Sequence, residues 1–172
     1  AMPLTPALEA QALRAMTISY AFENNCKDAI PYQQRLFDRH VKNKEFTSAG
    51  EMGTELARVC LEAGDFDTAA AWYTRSYETA LQTPNMTPAA KDLWKFRLEH
   101  AQARLAARRG DKATAATHVA AAKAALDTGT NPDQAPFFPY LVGSVAFYTG
   151  ETRTALTDVP TTRQNSAASV AT

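Results

Sequence analysis

The sequence predicts an all-α chain, and three observations carry that expectation. Alanine occurs 34 times among 172 residues, whereas valine and isoleucine together occur 9 times. Strands favour β-branched and aromatic residues and alanine is the strongest helix former, so a sheet has little to form from. A short pattern also recurs: Gly64-Asp65-x-x-x-Ala69, Gly110-Asp111-x-x-x-Ala115 and Gly150-Glu151-x-x-x-Ala155, with a degenerate copy at Asn24-Asn25-x-x-x-Ala29. Its alanines stand 40, 46 and 40 residues apart. Finally, the residues before each turn form apolar stripes at helical spacing. Leu13, Met16 and Tyr20 precede Asn24; Met52, Leu56, Ala57, Val59 and Cys60 precede Gly64; Phe138, Val142, Gly143, Val145 and Ala146 precede Gly150.

Each position in the recurring pattern has a mechanical reason. Glycine, and less readily asparagine, takes the left-handed conformation that ends a helix. The Asp, Glu or Asn that follows can cap the free amides of the next helix. Alanine one turn later allows close approach of the two helices. The pattern places helices near 6–23, 28–43, 48–63, 66–82, 88–109, 112–127 and 137–149, with an eighth from about 151 that ends by Pro160. Ser48-x-x-Glu51 reads as a capping box for the third helix, and Thr87-Pro88 as a cap followed by proline in the first turn of the fifth. Loops are expected at Thr83–Pro88 and Thr128–Pro132. The alanine-rich run from Ala113 to Ala125 reads as a thin helix that its neighbours approach closely. Residues 1–159 are thus expected to form one helical-repeat domain, and residues 160–172 a polar tail or linker.

Charge and motifs exclude several functions. Lys and Arg total 18 and Asp and Glu total 18, so the chain lacks the positive excess with which proteins displace counterions from nucleic acid. No apolar run approaches the length of a membrane span. No basic-then-apolar leader is visible, and the expected compartment is the cytoplasm. Ala1 ahead of Met2 reads as an appended residue, which leaves room for a leader already removed. Cys26 and Cys60 form no Cys-x-x-Cys pair and no disulfide framework, so two partly buried thiols in a reducing compartment are expected. His40, His100 and His118 are far apart and belong to no metal-binding motif. Asp38 with His40, and Glu99 with His100, sit at spacings that send the partners to different helix faces. There is no phosphate-binding glycine loop and no Gly-x-Ser-x-Gly elbow. The sequence is therefore read as non-enzymatic, with no catalytic, cofactor or metal site.

The stretch from Glu55 to Tyr73, with Leu56-Ala57, then Gly64-Asp65-Phe66, then Ala69-Ala70, resembles a tetratricopeptide repeat (TPR). Val142-Gly143 matches the family's Leu-Gly dipeptide, seven residues before Gly150. The resemblance extends over roughly residues 10–159. The family period is about 34 residues, so the wider spacings here imply longer helices or loops. In the third copy, Glu99 and Gln102 occupy positions where the family prefers apolar residues.

The resemblance implies a right-handed α-α superhelix of seven to eight antiparallel helices, whose concave wall is lined by the first helix of each pair. Carrying over the family's groove positions selects Glu51, Thr54, Arg58, Leu61 and Glu62 from the second copy. The third contributes Arg97, His100, Arg104, Ala107 and Arg108, and the fourth Phe137, Tyr140, Ser144, Phe147 and Tyr148. The expected peptide-binding set is Arg58, Arg97, His100, Arg104 and Arg108 beside the aromatic residues and Ser144. Arginine forks match carboxylates or phosphates, which suits an acidic or aromatic peptide. The competing reading makes Arg97, Arg104 and Arg108 a solvated helix face and packs Phe137, Phe147 and Tyr148 under the last helix. Arg14, Ile18, Thr54 and Arg58 stand where the family's carboxylate clamp carries Lys and Asn, so chaperone docking is not implied. The resemblance thus implies a scaffold that binds protein or peptide, with no nucleic acid or membrane partner. The alternative is an oligomerisation or regulatory module, a homo-oligomer among them, docking through its last repeat. An all-helical enzyme or small-ligand sensor is the third reading.

Overall fold

Residues 5–151 and 153 are described by the computed structural model, and no strand occurs among them. They form α1 (Pro6–Phe22), α2 (Cys26–Lys42), α3 (Phe46–Glu62), α4 (Phe66–Ala80), α5 (Pro88–Arg108), α6 (Lys112–Asp127) and α7 (Phe137–Tyr148), with a 3₁₀ turn at Pro132–Gln134 before α7. Every helix end falls within two residues of the sequence expectation. The expected eighth helix with its Ala155, and the tail 160–172, lie outside the described residues apart from positions 151 and 153.

The recurring turns share one geometry. Asn24, Gly64, Gly110 and Gly150 all have positive φ, between 51° and 83°. The next N–H in each case returns to the carbonyl five residues earlier: Asn25 to Tyr20, Asp65 to Cys60 and Asp111 to Ala106 at 2.9 Å, and Glu151 to Ala146 at 2.7 Å. That bond closes the end of the first helix. The side chains of Asn25, Asp65 and Asp111 then accept from the N–H of Asp28, Thr68 and Thr114 and open the second helix. Ala29, Ala69 and Ala115 are fully buried one turn later.

The connection from α2 to α3 uses the same turn without a glycine. Lys44 has φ 61°, and the N–H of Glu45 reaches the carbonyl of His40 at 2.9 Å. This turn starts α3 at Phe46, with Glu45 at the N-cap and no side-chain cap bond. The expected Ser48/Glu51 capping box is therefore incorrect, because the left-handed lysine has already turned the chain and Ser48 lies inside the helix. Thr87 does cap α5, accepting from the N–H of Ala90, with Pro88 in the first turn.

Helices pack on their neighbours in chain order, and α7 packs on α5 and α6. The main core joins α2, α3, α4 and α5 through Phe37, Leu56, Leu61, Trp72 and Leu105. A second cluster joins α5, α6 and α7 through Phe96, Ala103, Ala122 and Leu141. Two glycines bring α3 against α4: a Cβ at Gly50 would stand 2.8 Å from the Cβ of Ala80 and 2.9 Å from the Ser76 carbonyl. Glu99, at an expected apolar position, is buried, and its carboxylate is met by Lys95 at 2.5 Å and His118 at 2.6 Å. Burial pushes the Glu99 carboxyl up, but the hydrogen bonds from Lys95 and His118 outweigh it and hold the group below its usual range.

Cys26 and Cys60 are bonded to each other, with their Cα atoms 4.7 Å apart. The expected pair of free thiols is therefore incorrect. Cys26 is the first residue of α2 and Cys60 lies in the last turn of α3. The packing of those two helices brings the cysteines together, and nothing in their sequence spacing announces it.

Candidate functional site

A groove of about 610 Å³ runs across α1, α3 and α5. Arg14 reaches it from α1, while Glu51, Met52, Thr54, Glu55 and Arg58 line it from α3. Tyr73 enters from α4; Phe96, Arg97, His100, Ala101 and Arg104 come from α5, and Gln134 and Phe137 complete the lining. On α3, Glu51, Glu55 and Arg58 fall at i, i+4 and i+7, so the helical period places all three on one face.

Most of the charge in this groove is compensated internally. Arg14 pairs with Glu55 at 3.5 Å, and Arg97 with Glu51 at 3.7 Å. Arg104 pairs with Glu62 at 2.8 Å. Arg58 is exposed and makes no ion pair or hydrogen bond among the described residues. Arg14, Arg97 and Arg104 each meet a carboxylate, so among the described residues Arg58 is the groove arginine without one.

Arg104 and Arg108 form neither an open arginine wall nor a solvated face. Their side chains are 15% and 16% exposed, and both bond Glu62. Arg108 also donates to the Leu61 carbonyl at 3.2 Å and to the Tyr148 hydroxyl at 3.1 Å, and it lies over the Tyr148 ring at 4.8 Å. The two arginines therefore join α3, α5 and α7. The Nε of Arg104 is buried without an acceptor.

His100 is largely buried between Phe96 and Tyr140, whose ring centroids lie 5.9 and 6.4 Å away. Burial, reinforced by the Arg104 charge, brings its pKa down to about 4. His100 is accordingly neutral at physiological pH and contributes an aromatic surface rather than a charge. Burial likewise pushes the Tyr73 hydroxyl up to about 12, against the opposing pull of Arg104 and Arg58.

The expected groove residues do not all come together. Arg58, Arg97, His100, Arg104 and Phe137 line the groove together, as do Glu51 and Thr54. Tyr140 borders it through His100, whereas Arg108, Phe147 and Tyr148 form a separate cluster in which Phe147 meets Tyr148 edge-on at 5.1 Å. Ser144 is half-buried on α7 and is not part of the lining. Leu61 and Ala107 are incorrect as groove residues: they are 0% and 1% exposed, packed in apolar clusters between helices. The transferred positions did not include Met52, Glu55, Tyr73, Phe96, Ala101 or Gln134. For Glu55, the i+4 and i+3 relation to Glu51 and Arg58 was an available signal; for Gln134 there was none.

No family model matches this chain, and no curated protein matches it. Among the described residues, no helix is long and apolar enough to cross a membrane, and no three His, Cys, Asp or Glu side chains converge as a metal site. Within one lining the groove holds the Arg58 guanidinium, apolar surface from Met52 and Phe137, and the carboxylates of Glu51 and Glu55.

Proposed function

We propose that this chain is a non-enzymatic, TPR-like helical-repeat scaffold that holds an extended peptide or protein segment in the groove across α1, α3 and α5. The observation that carries this reading is Arg58, whose charge is unmatched in a groove that otherwise matches its own charges. The groove is lined chiefly by α3 and α5, with Arg14 from α1, which are the first helices of successive pairs, as in a superhelix with first helices on its inner wall. Arg58 would take an acidic side chain of the ligand, and Met52 and Phe137 a neighbouring apolar or aromatic one.

The test is selection from a peptide library on the wild-type chain, followed by affinity measurement on Arg58→Glu and Arg58→Lys. Arg58→Glu should weaken selected acidic-aromatic peptides by tenfold or more, on the order of 1.4 kcal/mol. Arg58→Lys should retain part of the affinity, and Lys123→Glu on α6 should leave it intact. Equal affinity for wild type and Arg58→Glu would remove the reading. Arg104 and Arg108 are poorer probes, because replacing them also breaks their bonds to Glu62.

A second reading rests on the aromatic residues of α7. Phe137 and Phe147 are 52% and 62% exposed, and Tyr140 and Tyr148 are also open. Such a surface suits docking of a second copy or of another domain in an oligomerisation or regulatory module. A solution mass equal to one chain at micromolar concentration counts against self-association. The expectation of a cytoplasmic location rested in part on free cysteines, and the Cys26–Cys60 bond removes that support.

A further inference from the structure

We propose that the Cys26–Cys60 bond is a conformational lock that fastens the α1–α2 pair to α3, so that the groove keeps Arg14, its α1 residue, in place only while the bond is intact. At one end, α2 and α3 are joined by the tight turn at Lys44. At the other end the disulfide ties the first residue of α2 to the last turn of α3. The hairpin is thus closed at both ends, and α1 is attached just before Cys26, through the turn at Asn24.

The remaining ties of α1 run mainly to α2. Glu9 accepts from Arg35 at 2.5 Å, the Pro6 carbonyl accepts from Arg39 at 2.5 Å, and Tyr20 stacks on Tyr32 at 5.7 Å. Toward α3, α1 has the exposed Arg14–Glu55 pair at 3.5 Å, and such pairs hold weakly. Only Leu13 and Thr17 of α1 are buried. The α1–α2 pair therefore depends on how firmly α2 is held on α3. There the Gln33 amide donates to the Met52 carbonyl at 2.9 Å, and Phe37 packs in the core.

Reduction by a dithiol breaks the Sγ–Sγ bond and forms two Sγ–H groups, while the dithiol becomes a cyclic disulfide. Two electrons and two protons pass to the protein. Cys26 and Cys60 are 4% and 0% exposed, so exchange requires the α2–α3 hairpin to open. Once reduced, α2 is held on α3 by packing and the Gln33 hydrogen bonds, with no covalent tie at the α1 end, and Arg14 loses its fixed place beside Glu55.

The experiment is amide hydrogen exchange read by mass spectrometry on the full chain, oxidised and after treatment with dithiothreitol. Cys26→Ala/Cys60→Ala serves as a second, irreversible form. The expected result is exchange about 10²–10³-fold faster across residues 6–42 in the reduced and variant chains. Residues 66–127 should be unchanged. Equal protection in both redox states overturns the proposal, as does a loss of protection spread evenly over the whole chain. Free thiols in the air-oxidised protein, shown by alkylation and intact mass, also overturn it. No ligand enters these measurements, so their outcome is independent of the peptide-binding reading.

Discussion

Gly53 on α3 lies so close to Ser76 on α4 that a Cβ at position 53 would stand 2.3 Å from the Ser76 Oγ. Ser76 is fully buried and its hydroxyl already donates to the Trp72 carbonyl, which leaves it little freedom to move aside. The same face of α3 carries Gly50, where a Cβ would meet the Ser76 carbonyl at 2.9 Å. A backbone oxygen cannot rotate away. Gly50→Ala should therefore cost about 1–3 kcal/mol despite alanine's better helix propensity. Urea unfolding checks this, and a stabilised variant would show that α3 and α4 are not in such close contact.

The turn caps give a second expectation. Asp65→Ala and Asp111→Ala should each lose about 1 kcal/mol, because each leaves an N-terminal amide of the following helix without its side-chain acceptor. The two sites start different helices and share no partner, so the double variant should lose the sum of the two effects. Asp65→Asn should retain most of the stability, since the amide oxygen still accepts.

Acid should act on the fold in two steps. His100 titrates near 6.5 in the unfolded chain and near 4 in the folded one, chiefly because it is buried. Between those values the unfolded chain binds a proton that the folded chain does not. Stability is therefore lost as pH falls from about 6.5 to 4, by up to about 3 kcal/mol. Glu99 behaves differently. Its carboxyl is held below the usual range, so its contribution is present above the unfolded carboxylate pKa and is lost as pH falls further, through the folded value. His100→Phe should flatten the upper step and leave the lower one, measured as unfolding free energy against pH. An unchanged slope between pH 6.5 and 4 would contradict a buried neutral imidazole.

Glu62 supplies a fourth expectation. It accepts from both Arg104 and Arg108, whose side chains are mostly buried. Glu62→Ala leaves two guanidinium groups without their carboxylate and should cost about 1–3 kcal/mol. The loosening should concentrate at α7, because Arg108 is also the group that bonds Tyr148. Faster amide exchange in α7 than in α4 distinguishes this from general destabilisation.

The helices and turns were legible because their causes are local. A glycine followed by an acid both ends one helix and caps the next, so Gly64-Asp65 and Gly110-Asp111 could be read without knowing what packs where. The Lys44 turn was not legible, since lysine adopts the left-handed region only at a cost that surrounding packing must offset. The groove was legible in part. The positions implied by the resemblance put Arg58 and Arg97 in the groove, but they could not show that Glu51 and Glu62 would occupy Arg97 and Arg104. Nor could it show that Glu99 would be buried against His118, 19 residues further on. Those pairings, like that of the cysteines, are properties of two helices at once.

The disulfide also changes how the chain would respond to tension. A pull on the two ends passes from Cys26 to Cys60 through sulfur, and the loop between them, a sequence separation of 34 residues, carries no force. That loop is worth roughly 110–120 Å of extended backbone. While the sulfurs stay joined, the protein reaches less far than its length suggests, and α2 and α3 cannot be drawn out end to end.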